Sequence, residues 1–346
     1  MVAKWLKSEG PESDIVISNR IRLARNLKGF PFAMKATKTD QEKILGMVSY
    51  ALEDLNLMKT GQFLTNQELT PLILQGLLER HLVSPDFVAS KQKHAVFINN
   101  EETLSLMINE EDHIRYQVLQ AGLDFELSFY ELQDFDEQLE QELEFAYSKE
   151  LGFLTACPSN VGTGMRASVL IHLPGLVLTK EIEKVLRGIL QIGLTVRGLY
   201  GEGTETKGNL FQISNQQSLG RTELEIIEII KKAVEKIISY ERKARDYLLR
   251  NTRIEIEDKV WRAQAILANA RIITSEEAMK LLTVLRMGVA LGIVTNISLR
   301  TINELLILTK PANLQIYYNK EMPAEERDEQ RATLIREKLK ENIKYE

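Results

Sequence analysis

Cysteine is almost absent. Cys157 is the single one in 346 residues, which excludes a disulfide framework and any CxxC redox or zinc pair. Long apolar runs are absent too. No stretch approaches the ~18 residues of a membrane span, and the start, MVAKWLKSEGPESD, lacks the apolar centre of a signal peptide. A basic excess is also missing: 44 Lys and Arg face 49 Asp and Glu, a net charge of −5. That argues against a generic nucleic-acid coat. The expectation is a cytoplasmic protein in a reducing compartment, with no direct nucleic-acid partner and no membrane. The sequence also contains no GxxxxGK[ST] phosphate loop, no HExxH and no GxSxG elbow.

What is present is ordinary in bulk, with 44% hydrophobic and 27% charged residues. The length suits two domains. Residues 40–59 carry apolar positions at helical spacing, and residues 95–108 read as a hairpin. Residues 132–150 read as an acidic amphipathic helix. The runs FLTA, MRASVLIHL, ILQIGLTVRGLY and NLFQIS then read as strands between Gly, Pro and Asn breakers. Thr222 and Glu225 fit a capping box opening one long helix. Almost everything beyond that helix is helical. The predicted fold class is α+β, an antiparallel sheet flanked by helices, followed by a small all-helical C-terminal domain. The boundary is placed at 252, giving domains 1–252 and 253–346.

Arginine carries the chemical signal. Arg20 and Arg22 share one face of SNRIRLARN if it is extended. Arg115 follows the acidic NEEDHIR cluster, Arg166 follows a glycine turn, and Arg197 sits in VRGLYGEGTE. Singly, each reads as a solvated edge residue or ion-pair partner. Together they suggest a polyanion site such as a nucleotide triphosphate, because guanidinium forks match phosphate oxygens. Glu110, Glu111, Asp112 and Glu202 interrupt this basic set. Carboxylates beside phosphates imply a metal ion or a cationic second substrate, or else turn capping and ion pairs. Two weaker patterns remain. GTGMRA at 162–167 loosely matches GxGxxA, but reads equally as a turn between strands. Cys157 with His81, His94, His113 or His172 is the raw material of a thiol hydrolase, though no local thiol-protease signature accompanies it.

SNRIRLARN, NEEDHIR, CPSNVGTGMRASV and RGLYGEGTE, in that order and spacing, resemble the guanidino-phosphotransferase (phosphagen kinase) family. GPESDIVISNRIRLARN, ERHLVSP and RDEQRA resemble a bacterial subgroup that acts on arginine in proteins. The resemblance implies transfer of the ATP γ-phosphoryl group to a guanidino nitrogen, with Mg²⁺ bridging the phosphates and no protein metal ligand. It assigns nucleotide and phosphate binding to Ser18, Asn19, Arg20, Ile21 and Arg22, to His81 and Arg115, to Arg166, Ala167, Ser168, Val169 and Leu170, and to Arg197, Gly198, Leu199, Tyr200, Gly201 and Glu202. Glu111 and Glu202 would clamp the guanidinium and one of them would accept its proton, with Glu110 and Asp112 serving the turn. Cys157 would sit beside the guanidinium as a thiolate, forming no covalent intermediate.

Family members acting on small guanidines carry a helical domain before the SxRxR motif, whereas 17 residues precede Ser18 here. That implies an open site for protein-borne arginine. Asn19 stands where the family more often has Ser. Arg327, Asp328, Arg331 and Ala332 of RDEQRA read unaided as a solvated helix; the resemblance makes them an allosteric phosphoarginine receptor. It also implies a stress-gene repressor among the protein substrates, coupling to the Clp ATPase and protease, a possible activator protein and a homodimer. Two alternatives stay open: a kinase for free arginine or another small guanidine, and a phosphoarginine-binding adaptor or repressor inhibitor.

Overall fold

The computed structural model describes residues 3–198 and 207–341. Its strands are β1 (Val16–Arg25), β2 (Gly61–Thr65), β3 (Ala95–Asn99), β4 (Leu104–Ile108), β5 (Ile114–Ala121), β6 (Tyr147–Ser148), β7 (Gly152–Phe153), β8 (Met165–His172), β9 (Leu194–Gly198) and β10 (Leu210–Asn215). Strands β6 and β7 form a small separate pair. The other eight make one antiparallel sheet in the order β2-β3-β4-β5-β1-β8-β10-β9. β1 lies near its middle with neighbours on both sides, so its backbone groups are consumed by the ladder.

The helices preceding the long one are α1 (Lys38–Asp54), α2 (Pro71–Glu79), α3 (Pro85–Ala89), α4 (Phe125–Glu142), α5 (Pro174–Leu178) and α6 (Ile182–Gln191). The long helix α7 (Glu223–Asn251) opens on the capping box expected at Thr222 and Glu225. It is followed by α8 (Arg253–Asn269), α9 (Ser275–Ala290), α10 (Leu299–Leu308), α11 (Pro311–Tyr317) and α12 (Ala324–Glu341).

Side-chain alternation divides the sheet. Ile21, Leu23, Ala167, Val169 and Ile213 point to one face, where they form a core with Leu132 and Leu139 of α4 and with Ile230 and Val234 of α7. The opposite parity, Arg20, Arg22 and their cross-strand neighbours, faces the other way. A second apolar cluster joins α8, α9, α10 and α12. Arg286 of α9 ties the two regions. Its guanidinium donates to the carbonyls of Ser13 (2.7 Å) and Asp14 (3.0 Å), to Asn303 Oδ1 (3.1 Å) and to His172 Nδ1 (3.2 Å).

Three expected elements shift. Of the run FLTA, expected as a strand, only Phe153 lies in one, β7. The acidic helix runs from Phe125 to Glu142, capped by Asp124, whose side chain accepts from Leu127 N at 3.1 Å. Residues 143–150 leave the helix because Leu143 is extended and the aromatic-bearing segment after it pairs as β6. Residues 189–191, expected in a strand, complete α6: Ile182, Val185 and Ile189 keep helical spacing, and Gly193 at φ +77° ends that run.

Candidate active site

The alternation of β1 puts Arg20 and Arg22 on the open face of the sheet. Register then adds the rest. Arg22 lies opposite Gln117 of β5 and Arg166 of β8, Ala24 opposite Arg115, and Arg197 of β9 opposite Gln212 of β10. Five arginines from four strands thus line one cleft of about 530 Å³, with Glu111, Cys157 and His81 among its other walls.

This cationic face is poorly neutralised. Arg115 is paired, donating from Nη1 to both oxygens of Glu110 at 3.1 and 2.8 Å. Glu110 also accepts from Ser84, so it serves the arginine cluster beyond the turn expected for it. Arg166 donates from Nη2 to Ser214 Oγ at 3.2 Å. The Nε atoms of Arg22 and Arg166 are buried and have no hydrogen-bond partner. Burial, with Arg115 and Arg166 nearby, pushes the Arg20 guanidinium down to about 9. Burial and the same like charges, with Arg20, hold Arg22 well below the usual arginine range. Stacked cations with idle donors are a preformed anion cradle: phosphate oxygens would both satisfy the donors and relieve the repulsion.

The acidic turn after β4 adds Glu111 to the lining of the same cleft. Burial, reinforced by Asp112, raises the Glu111 carboxyl. Asp112 is fully buried and accepts from Asn26 Nδ2 (2.6 Å) and from Ala156 N (2.7 Å). It therefore pins the loop carrying Cys157 against the loop carrying Glu111, a larger role than turn capping. Cys157 is partly exposed, with Sγ 3.1 Å from Ser159 Oγ. The thiol-hydrolase reading fails on geometry. His113 is held between Leu27 N and the Pro31 carbonyl, and His172 accepts from Arg286. His94 packs on Phe87. His81 lies on the cleft floor beside Trp5, its ring held well below the usual histidine range by burial and then by Lys310 and Arg20. No imidazole pairs with Cys157 among the described residues.

Not every residue assigned to phosphate binding reaches the cleft. Ser18, Ser168 and Leu170 line a small extension of it with Arg20 and His81. Ile21, Ala167 and Val169 point into the core on the opposite face, and Asn19 is buried, bonded to Ser128 Oγ (2.5 Å) and the Gly122 carbonyl. A strand cannot offer consecutive side chains to one face, so these four are corrected as side-chain contacts. Gly198 lies at the end of β9, whereas Leu199, Tyr200, Gly201 and Glu202 lie outside the described residues. The GTGMRA glycines adopt φ +113° and +66° and lead into β8, a turn before a strand rather than before a helix. Ser84, Asp86, Gln117, Ser159, Asn160 and Gln212 also line the cleft and were missed. For Gln117 and Gln212 the parity shared with the arginines was the available signal.

The RDEQRA residues lie on α12, remote in sequence from the cleft. Arg331 is 1% exposed and donates to the carbonyls of Thr309 (2.7 Å) and Ile273 (2.9 Å) and to Asp328. Ala332 is buried in the second core, which corrects it as a ligand contact. Arg327 donates to the Met322 carbonyl at 3.2 Å. Among the described residues no group of three or more His, Cys, Asp or Glu side chains is arranged to hold a metal, and no helix is long and apolar enough to cross a membrane.

Comparison with known proteins matches this arrangement. The model of the ATP:guanido phosphotransferase C-terminal catalytic domain matches residues 43–244. The protein-arginine kinase McsB C-terminal domain matches residues 253–345. Protein-arginine kinases of Bacillus cereus (strain AH187) and Bacillus anthracis are 45% identical over 98% of this chain and 96% of theirs. Among solved structures, the duplicated taurocyamine kinase of Schistosoma mansoni with bound transition-state analogue components superposes with a TM-score of 0.61 at 30% identity, over 68% of this chain. The chain spans 34% of that duplicated protein. Lombricine kinase gives 0.58 at 27% identity, covering 68% of each chain. The chain belongs to the ATP:guanido phosphotransferase family.

Proposed function

We propose that the chain is a protein-arginine kinase, transferring the γ-phosphoryl group of ATP to arginine guanidino groups in proteins. The observation that carries the reading is the anion cradle, five arginines lining one cleft, two of them with buried idle Nε atoms, together with the carboxylate of Glu111. Arg20, Arg22, Arg115, Arg166 and Arg197 hold the phosphates and spread the charge of a largely dissociative transition state. Mg²⁺ bound with the nucleotide would supply further charge neutralisation.

The acceptor guanidinium has no free lone pair at neutral pH. Glu111, whose burial favours holding a proton, hydrogen-bonds the guanidinium, aligns one nitrogen and accepts its proton. The N–P bond forms as the bond from the γ-phosphorus to the bridging oxygen breaks, releasing ADP. Glu202 is assigned the second clamp. Cys157 stands beside the acceptor as a charge partner and takes no phosphoryl group. Product phosphoarginine is proposed to bind Arg327 and Asp328 on α12, with Arg331 as their support. We further propose a cytoplasmic homodimer that modifies a stress-gene repressor and delivers marked proteins to the Clp protease.

The test is purified protein with Mg·ATP and casein, or free arginine in its place. Acid-labile phosphate on casein arginines is expected, with free arginine a poor acceptor. Acid-stable phosphoesters would overturn the reaction class, and equal turnover of free arginine would move the reading to a small-guanidine kinase.

A further inference from the structure

Helices α6 and α7 belong to the layer that backs the sheet on the side away from the arginine cleft. They border a groove of about 700 Å³, larger than that cleft. Leu176, Val185, Ile189 and Ile237 give it an apolar lining. Tyr240 and Tyr247 line it while remaining 39% and 59% exposed. The lining along α7 runs from Ala233 to Tyr247, about 21 Å at 1.5 Å per residue. That is the length of a four-turn helix.

Two further observations say what fits there. Lys184, Lys236 and Lys243 line the groove and are exposed, against one lining carboxylate, Glu181. Lys236 lies 6.0 Å from the Tyr240 ring centre, and no ion pair engages any of the three lysines among the described residues. The second observation is Gly188, inside α6. Glycine there costs roughly 0.5–1 kcal/mol relative to alanine. Yet a Cβ added at Gly188 would meet nothing within 4 Å. Packing within the chain gives no reason for a glycine; close approach by another backbone does.

We propose that this groove receives an acidic amphipathic α-helix from a partner protein. Apolar side chains at i, i+3, i+4 and i+7 lie on the floor, the helix backbone passes over Gly188, and carboxylates flanking its apolar face meet the three lysines. The chain's own acidic helix is a poor candidate, because α4 buries Leu132, Phe135 and Leu139 in its own core.

A display library of 14-residue helix-forming peptides, selected on the full-length protein, tests this. The expected winners are acidic, carry the i, i+3, i+4, i+7 apolar pattern, and lose affinity as salt rises. They bind roughly tenfold or more weakly to Gly188→Trp, which fills the groove, and to Lys236→Glu/Lys243→Glu, and measurably more weakly to Gly188→Ala, whose methyl group stands where the partner backbone passes. Unchanged circular dichroism and kinase turnover in Gly188→Trp establish that it folds; should it not, the charge-reversal variant alone decides. Basic or unpatterned winners, winners indifferent to these substitutions, or no groove-dependent winner would each overturn the proposal. So would concentration-dependent self-association abolished by Gly188→Trp, which would give the groove to a second copy.

Discussion

Glu111 and Cys157 stand on two loops that Asp112 ties together through Ala156 N and Asn26. Their division of labour makes distinct predictions. Cys157→Ser keeps the cleft's shape but removes the thiol that the proposed mechanism places beside the guanidinium. Turnover should fall strongly yet remain measurable, since the carboxylates stay; a trapped cysteinyl phosphate would overturn this role. In the proposed mechanism Glu111 acts as carboxylate, and burial raises its carboxyl above the usual glutamate value. Its acceptor-clamping form is therefore full at higher pH and lost as pH falls through that raised value. A kcat profile should show an acid limb displaced upward from the ordinary glutamate range, and a flat profile down to pH 4 would contradict it. Strand parity puts Arg20 and Arg22 on one face already in the sequence, whereas local charge leaves Glu110, Glu111 and Asp112 alike and the resemblance alone singles out Glu111. The sequence did not expose the idle Nε atoms of Arg22 and Arg166, which depend on what surrounds them across four strands.

Strand β1 shows how far an element can be read in advance. Its alternation separates Arg20 and Arg22 from Ile21 and Leu23, but a motif carried over as a consecutive block blurred that separation at Asn19, Ile21, Ala167 and Val169. Helix α6 shows the converse: ILQIG is β-branched enough to read as strand, yet amphipathic spacing from Ile182 to Ile189 decides the matter. On α12, the two RDEQRA arginines have separable roles. Arg331→Ala leaves the Thr309 and Ile273 carbonyls without their donor, at roughly 1–3 kcal/mol for each buried group left unpaired. Denaturant unfolding should show that loss. Arg327→Ala, at a half-buried position and losing one hydrogen bond to the Met322 carbonyl, should cost less than Arg331→Ala, and abolish phosphoarginine binding in isothermal titration. Unchanged binding in Arg327→Ala would return the motif to a purely structural role.

Across the chain, the sheet core and the helical cluster meet at Arg286, which binds the 13–14 backbone, Asn303 and His172. No sequence pattern announces this junction, because its partners lie in three distant segments. His172 is fully buried, and burial, then Arg286 and Arg245, hold its imidazole well below the usual histidine range. The unfolded chain protonates near 6.5 while the folded one does not, so stability is full above that pH and falls below it. The loss is at most about 1.4 kcal/mol per pH unit from this histidine. Urea unfolding at pH 7 and pH 5.5 should show it, and His172→Gln should reduce the difference; an identical difference in the variant would refute the assignment. In the proposed reaction one sheet face holds the phosphates while a separate carboxylate handles the guanidinium. The most direct measurement pairs ATP affinity with single-turnover phosphoryl transfer to casein in Glu111→Gln. ATP affinity should stay near wild type while transfer to arginine falls by roughly 10²–10⁴; wild-type transfer, or loss of ATP binding in step with transfer, would contradict it.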